Sequence, residues 1–133
     1  MKAAMVPLTV TTGNPKDLVG AKKAPLRFVP PSLAIAVAPI MELGAIKYNN
    51  GVPCNWRQYP IKAMVYLEAA QRHLSAYSDG EDLDPESGKP HLWHAAACIA
   101  ILIDSGLIGT LIDDRPLPGP SAEMLRELDR SKG

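Results

Sequence analysis

Apolar residues recur at helical spacing in three stretches of this chain, and proline-rich segments separate these stretches. The clearest repeat lies between Pro60 and Ser78, where apolar side chains alternate at spacings of four and three: Ala63, Leu67, Ala70, Leu74 and Tyr77. This spacing places them on one face of a helix. Proline fits the first turn of a helix, because the nitrogen there has no hydrogen bond to lose. The pattern predicts a helix from Pro60 to about Ser78.

Two other stretches are apolar on almost every side. One spans 30–48, opens with the helix-start signal Pro-Pro-Ser, and contains Pro39, which predicts either a bent helix or a shorter one over 39–48. The other runs from Pro90 to about Ser105. A helix without a polar face needs cover on several sides. In a chain of this length part of that cover is expected from another subunit, which predicts a homo-oligomer, a dimer or a tetramer.

The segments that flank these helices differ in character. Residues 1–30 lack a helical period and are broken by glycine and proline, so they predict an extended N-terminal arm, with 9–12 as a candidate short strand. Residues 31–115 are predicted as the helical catalytic domain, and 116–133 as a proline-rich linker followed by a charged amphipathic helix. The fold class predicted is therefore all-α, a small helical bundle completed by oligomerisation.

Composition narrows the range of partners. Fourteen basic and fourteen acidic side chains give a net charge of zero, so nothing favours attraction to a nucleic acid polymer or to an anionic membrane. The longest apolar run, Ala95–Ile103, is far shorter than the ~20 residues that span a membrane. The two cysteines, Cys54 and Cys98, have no C-x-x-C spacing and no apolar leader before them, which is typical of reduced intracellular thiols. We therefore expect a cytoplasmic protein.

The segment from Arg72 to His94 concentrates the polar chemistry. It contains all three histidines of the chain, and five carboxylates lie between the first and second of them: Asp79, Glu81, Asp82, Asp84 and Glu86. An acidic run is ordinarily a solvated loop. Here it joins two apolar helices, and His91 and His94, three residues apart, share a face of the first turn of the second helix. His73 lies near the end of the first helix, so the junction can hold a metal ion or a phosphate.

The residues alone do not determine which metal ion would bind at this junction. Carboxylates suit Mg²⁺ or Mn²⁺, whereas imidazole suits Mn²⁺, Zn²⁺ or Fe²⁺ better than Mg²⁺. With Mg²⁺ the acids are expected to bind the ion while the histidines donate to phosphate or orient water. With Mn²⁺ both kinds of side chain can ligate.

A second candidate region is the loop between the first two helices, which contains Asn55, Trp56 and Arg57. Asparagine offers both a donor and an acceptor, and indole is a stacking surface, so this loop can contact a base or a sugar. The alternative is that Trp56 fills the core from the loop. Similarly, Glu68 and Arg72 form either part of a site or an ordinary surface pair four residues apart.

Several short motifs occur together and in a specific order. They are Gly20-Ala21-Lys22-Lys23, Pro30-Pro31, Gly44-Ala45-x-Lys47-Tyr48, Asn55-Trp56, Arg72-His73-Leu74, Gly80-Glu81-x-x-Asp84-x-Glu86-Ser87-Gly88 and His91-Leu92-x-His94-Ala95. Over roughly 20–104 the chain resembles the phage dATP/dGTP diphosphohydrolases, the MazZ-type branch of the MazG-like all-α nucleotide pyrophosphohydrolases.

The resemblance implies a metal-dependent enzyme, with Mg²⁺ or Mn²⁺, that cleaves a purine deoxynucleoside triphosphate to the monophosphate and pyrophosphate. It also implies an oligomeric helical fold and, in some phages, a role in supplying precursors for DNA that contains 2-aminoadenine. One departure affects the metal ligands. The broader superfamily binds its ions through E-E-x-x-E and E-x-x-D helices, and neither motif lies intact on a predicted helix here. Glu68 stands where part of the first motif would lie, and His91-x-x-His94 resembles the position of the second.

The candidate site residues combine the resemblance with the chemistry of the loop. The predicted catalytic residues are Glu81, Asp84, His91 and His94. The predicted metal ligands are Glu42, Glu81, Asp84 and His91. The predicted substrate-binding residues are Lys22, Lys23, Lys47, Asn55, Trp56, Arg72 and His73.

Two other functions compete with this interpretation. An HD-type metal phosphohydrolase would release triphosphate or inorganic phosphate, but the chain contains no His-Asp dipeptide. A non-catalytic helical module that binds nucleotides or supports assembly would bind no divalent ion tightly and would tolerate substitution of the histidines.

Overall fold

The computed structural model describes residues 13–132, and within them the chain is largely helical. The helices are α1 (Pro15–Gly20), α2 (Ser32–Asn49), α3 (Asn55–Gln58), α4 (Ala63–Ser78), α5 (His91–Ile108) and α6 (Ser121–Glu127), the strands are β1 (Ile61–Lys62) and β2 (Leu111–Ile112), and single 3₁₀ turns occupy Leu26–Phe28 and Arg130–Lys132. The predicted all-α class is confirmed.

The chain forms two compact units that divide after Leu33. In the first unit, α1 begins where the side chain of Asn14 accepts a hydrogen bond from the backbone nitrogen of Lys16 at 3.0 Å, and Pro15 occupies the first helical position. This short helix departs from the extended arm predicted for residues 1–30, because one cap and one proline suffice to start a turn. The predicted strand at 9–12 lies outside the described residues.

The centre of the second unit is the pair of helices α4 and α5. The end of α4 meets the start of α5, and the short parallel pair β1 and β2, with Ile61 opposite Leu111, joins the other two ends, so the helices run antiparallel. Apart from His91, the side chains buried on these helices are small: Ala63 and Ala70 on α4, and Ala95, Ala97 and Ser105 on α5. Small residues let two helix backbones approach closely, so the site lies on a rigid hairpin of helices.

The helix boundaries correct two of the predictions. Helix α4 begins at Ala63 and not at Pro60, because Ile61 and Lys62 pair with β2 instead. The backbone nitrogen of Met64, in the first turn of α4, donates to Asp114 Oδ1 at 2.8 Å, so a distant carboxylate stabilises this helix start. Helix α5 continues through Gly106 to Ile108 and ends at Gly109, whose φ of 82° is left-handed.

Helix α2 passes through Pro39 without interruption, which confirms one helix in place of a turn and a shorter helix. Most of its side chains are exposed, and Ile40 and Ala45 are the buried ones. It ends at Asn49, and the next two residues, Asn50 and Gly51, have positive φ, which Asn and Gly adopt at little steric cost. The following segment, predicted as a loop, contains the four-residue helix α3.

Candidate active site

The acidic loop between α4 and α5 has a defined structure. Leu83 and Pro90 form an isolated antiparallel bridge, and backbone hydrogen bonds join Asp84 N to Lys89 O at 2.8 Å and Gly88 N to Asp84 O at 2.7 Å. A further bond from His91 N to the carbonyl of Asp82, at 2.9 Å, attaches the loop to the start of α5. This loop is therefore folded as a small hairpin, which places its carboxylates relative to the histidines.

The three histidines converge at the junction of the two helices. His73, on α4, stacks on His94 with ring centroids 4.6 Å apart and planes at 9°, and its centroid lies 5.2 Å from that of His91. They meet because His73 lies in the last turns of α4 while His91 and His94 share the first turn of α5. The sequence predicted the shared face of His91 and His94, and the antiparallel packing adds His73.

One side of this cluster is a chain of hydrogen bonds from the loop to α4. Glu81 Oε1 lies 2.6 Å from His91 Nε2, and His91 Nδ1 lies 2.9 Å from His73 Nδ1. His91 is buried, whereas the side chain of Glu81 is about half exposed. The buried imidazole thus connects a carboxylate at the surface to the histidine at the centre of the cluster.

The other side of the cluster contains Asp84 and His94. Asp84 Oδ2 lies 3.7 Å from His94 Nε2, and both side chains are mostly buried, with 17% and 16% exposure. Asp84 Oδ1 accepts a hydrogen bond from the backbone nitrogen of Glu86 at 3.0 Å, which leaves Oδ2 directed toward the histidine. The hydroxyl of Ser87 lies 2.7 Å from the same His94 nitrogen and accepts a bond from Lys89 N at 3.1 Å.

His73, Asp84 and His94 together offer three atoms that can ligate a metal ion, all within 4.8 Å of one another. Burial lowers the pKa of both His73 and His94, and Asp84 acts in the opposite direction on each. Burial therefore favours neutral imidazoles, the form that donates a lone pair to a metal. The donor set of two imidazoles and one carboxylate fits a divalent metal ion.

A pocket of about 140 Å³ lies beside the cluster. Its walls come from α2, α3, α4 and α5: Ile40, Met41, Gly44, Ala45, Tyr48, Asn55, Trp56, Tyr66, His94, Ala97, Cys98 and Ile101. His94 belongs to both the pocket and the cluster. Asn55 and Trp56, predicted to recognise a base or a sugar, therefore line a cavity that adjoins the histidines.

Trp56, in the wall of the pocket, is buried and hydrogen-bonded. Its exposure is 8%, and its Nε1 donates to Asp104 Oδ2 at 2.6 Å. Arg57 donates to both oxygens of the same carboxylate at 2.8 Å, a bidentate pair. Trp56 thus fills the core, as one of the two alternatives predicted, and it also lines the pocket, while its contact with a base or a sugar stays a prediction.

The hydrogen bonds from Arg57, and secondarily from Trp56, lower the pKa of Asp104 to about 2. An unfolded aspartate titrates near ~3.9, so the stabilisation from Asp104 is complete above about pH 4 and disappears as the pH falls through the folded-state value. We expect the difference in free energy of unfolding between the wild type and Asp104→Asn to be constant near neutral pH and to shrink between about pH 4 and pH 2. Urea unfolding at several pH values measures it. In an Arg57→Gln background this pH dependence should largely vanish, and a difference that persists unchanged to pH 2 would contradict the assignment.

The remaining predicted residues lie outside the cluster. Lys47, exposed on α2, approaches Glu86 with 3.9 Å between Nζ and Oε1, and contact with Tyr48 raises the lysine pKa. Arg72 is exposed next to His73, and Glu42 is exposed on α2. Lys22 and Lys23 are exposed in the first unit, after α1. Glu68 and Arg72 form no ion pair among the residues that the structure describes.

Sequence reasoning missed two residues that organise the site, Ser87 and Asp104. Ser87 gives little signal, because a serine in a turn is common. Asp104 was detectable in principle, since a single carboxylate in an apolar helix needs a partner when the helix packs. The sequence did not identify its partner, Arg57, which lies 47 residues earlier in α3.

By length and composition alone, α5 is also the one helix among residues 13–132 that could cross a membrane. Within the described residues this helix packs against α4, and its Asp104 forms an ion pair with Arg57.

An all-α domain that sets two histidines and a carboxylate beside an aromatic pocket has the parts of a helical phosphohydrolase. The comparison with protein families identifies which one: the profile described as dATP/dGTP diphosphohydrolase, N-terminal, matches residues 13–115, and the chain belongs to this family. It is therefore a nucleoside triphosphate pyrophosphohydrolase, and the resemblance found in the motifs over 20–104 is confirmed at the level of the family. Searches of curated proteins and of solved structures found no match.

Proposed function

We propose that this chain hydrolyses dGTP and dATP to the monophosphate and pyrophosphate in a reaction that depends on Mg²⁺ or Mn²⁺. The observation that carries the proposal is the position of His94, which lines the aromatic pocket and also belongs to the histidine and carboxylate cluster. A purine in the pocket would bring its phosphates to the cluster. The family description supports the same two substrates.

The pocket residues suit a purine base. Tyr48, Trp56 and Tyr66 offer aromatic surface, and Asn55 offers an amide that can both donate and accept. The half-buried Asn55 begins the short helix α3, so the backbone fixes its position. We propose that these side chains bind the base while Lys47 and Arg72, both exposed, neutralise the phosphates.

In the proposed reaction, water attacks the α-phosphorus in line and the bond to the bridging oxygen breaks, so that pyrophosphate leaves. A divalent ion, if held by the cluster, would supply charge neutralisation and would make bound water more acidic. Glu81 is half exposed and hydrogen-bonded to His91, so it can orient the attacking water and take its proton. Asp84 and His94 would hold the ion. Glu42, exposed on α2, stays a prediction as a ligand.

A product assay tests this function directly. We expect full-length protein with Mn²⁺ or Mg²⁺ to convert dGTP and dATP to dGMP and dAMP with equimolar pyrophosphate, separated by ion-exchange chromatography. Inorganic phosphate should appear only after pyrophosphatase is added. The rates with dCTP, dTTP and GTP, compared with those for dGTP and dATP, measure the preference for base and sugar. Triphosphate with the free deoxynucleoside would indicate the HD-type alternative, and no turnover of any nucleotide would favour the binding module.

The biological setting that we propose is a phage-encoded cytoplasmic enzyme that controls purine deoxynucleotide pools. Removal of dATP and provision of dGMP suit a phage whose DNA contains 2-aminoadenine, the role that the resemblance implies. Nucleotide analysis of cells that express the chain would show lower dATP and dGTP if this role is correct, and unchanged pools would exclude it.

We also propose a homo-oligomer, a dimer or a tetramer. The apolar side chains exposed on the long helices include Ile35, Ile46 and Tyr48 on α2, Val65 on α4 and Ile103 on α5, each more than half exposed. Large apolar side chains exposed in this number are typical of a surface that another subunit covers. Light scattering against the 14.3 kDa chain mass measures the assembly.

A further inference from the structure

We infer that His73, Asp84 and His94 bind one first-row transition-metal ion, and that Glu81 acts through His91 as a positioning residue for this site. The inference rests on the proposed function only for the role of the ion in catalysis. The site itself follows from the geometry of the cluster.

The three candidate ligand atoms are close to the spacing that a metal requires. With metal–ligand bonds of about 2.0–2.2 Å, two ligands of one ion lie about 3.0–3.5 Å apart at octahedral or tetrahedral angles, and at most about 4.3 Å apart on opposite sides of the ion. The observed limit of 4.8 Å therefore asks for shifts of up to about 1–2 Å. Such shifts are within the reach of rotations of half-buried side chains on a rigid helix pair.

The hydrogen-bond chain determines which nitrogen of His73 is free. A carboxylate only accepts, so His91 donates from Nε2 to Glu81 Oε1, 2.6 Å away. In neutral His91 the other nitrogen, Nδ1, is then an acceptor. His73 must therefore donate from its Nδ1 to His91 Nδ1 across 2.9 Å. The Nε2 of His73 is left with an unshared lone pair, the arrangement that a ligating histidine needs.

The second imidazole is provided by His94 through Nε2, the nitrogen that faces Asp84 Oδ2. The Ser87 hydroxyl lies on the same nitrogen at 2.7 Å. A bound ion must replace that hydrogen bond, which rotation of the serine side chain allows. Ser87 thus holds His94 in place until the ion arrives.

The donor set selects the metal. Mg²⁺ prefers octahedral oxygen ligands and retains several waters, whereas two imidazoles and one carboxylate suit Mn²⁺, Fe²⁺ or Zn²⁺. Glu42, Glu81 and His91, which the sequence placed among the ligands, are not in this set. Glu81 and His91 are connected to this set through the hydrogen bond between His91 and His73.

Titration of Mn²⁺ and of Mg²⁺ into chelator-treated full-length protein, without nucleotide, tests the site. We expect calorimetry to show one Mn²⁺ per chain, bound at least about 10-fold more tightly than Mg²⁺. Electron spin-echo spectroscopy of the bound Mn²⁺ should show modulation from two imidazole nitrogens. His73→Ala and His94→Ala should each remove one nitrogen and weaken Mn²⁺ binding at least about 100-fold.

The positioning role of Glu81 has its own readout. Glu81→Ala should weaken Mn²⁺ about 10-fold while both nitrogens stay in the spectrum, and Glu81→Gln should recover most of the affinity because its amide oxygen still accepts from His91. Asp82→Asn, in the same loop but outside the cluster, is the matched control and should bind as the wild type does. Circular dichroism checks the fold, and His73→Gln replaces His73→Ala if the alanine variant loses helix.

The failures of the site and of the function are distinguishable. Mg²⁺ bound as tightly as Mn²⁺, or His73 and His94 variants that keep wild-type affinity and spectra, would overturn the metal site even if the nucleotides are hydrolysed. Two-nitrogen Mn²⁺ binding without turnover of any nucleotide would instead leave the site standing and overturn the proposed function.

Discussion

Asparagine in place of Asp84 is expected to lower metal-dependent turnover of dGTP and dATP by at least about 1,000-fold, while the protein stays folded. Transition-state stabilisation by a bound ion contributes several kcal/mol, and each ~1.4 kcal/mol corresponds to a factor of ten in rate. The amide removes the negative ligand atom Oδ2 but keeps an oxygen where Oδ1 accepts from Glu86 N. The backbone bonds of Asp84 to Lys89 and Gly88 are unaffected by the change.

Steady-state kinetics by pyrophosphate release, with circular dichroism and thermal unfolding on the same samples, measures this result. Asp82→Asn makes the same chemical change in the same loop, and the Asp82 side chain is exposed, so its activity should remain near that of the wild type. Turnover of Asp84→Asn within about tenfold of the wild type would remove Asp84 from the active site.

Alanine in place of Trp56 should lower the free energy of unfolding more than the other substitutions proposed for this chain. Truncating a buried tryptophan costs about 3–5 kcal/mol, a large part of the ~5–15 kcal/mol that holds a domain together. The indole is 8% exposed, and its removal also takes away the hydrogen bond to Asp104. In a chain of this size the melting temperature should fall by about 10 °C or more.

Urea unfolding at matched protein concentration measures the change in free energy. Tyr59→Ala removes an aromatic side chain three residues away that is 63% exposed, and it should change stability by less than about 0.5 kcal/mol. Trp56→Phe keeps most of the buried ring and should lie between the two. If Trp56→Ala is no less stable than Tyr59→Ala, the indole does not anchor the wall of the pocket.

The helices were predictable where the periodicity was long. The stripe from Ala63 to Tyr77 identified α4, and the apolar body of residues 95–103 identified α5. The errors lie at the ends, where tertiary contacts compete with local preference. Pro60 is a good first residue for a helix, yet Ile61 and Lys62 bond to a strand that begins 50 residues later than Ile61. No local pattern contains that information.

The sequence predicted which segment contains the candidate site, but it did not predict which side chains form the ligand set. The concentration of histidine and carboxylate between Arg72 and His94 located it, because residues of a short loop between antiparallel helices cannot separate far. Which side chains face one another depended on the hairpin of the loop, where the bonds of Asp84 to Lys89 and Gly88 direct the carboxylate toward His94. His73, predicted as a substrate contact, thereby joins the cluster, while Glu42 lies outside it.

The all-α class, the family and the segment with the polar chemistry follow from residue type and spacing along the chain. Three features became visible in the folded chain alone: Trp56 is both core and pocket wall, Asp104 pairs with Arg57, and a hydrogen bond joins His91 to His73. A hydrogen bond or a ligand set depends on separations of a few ångströms between side chains on different elements, and local spacing does not contain these separations. Those separations are set by the packing of α4 against α5 and of α3 against α5.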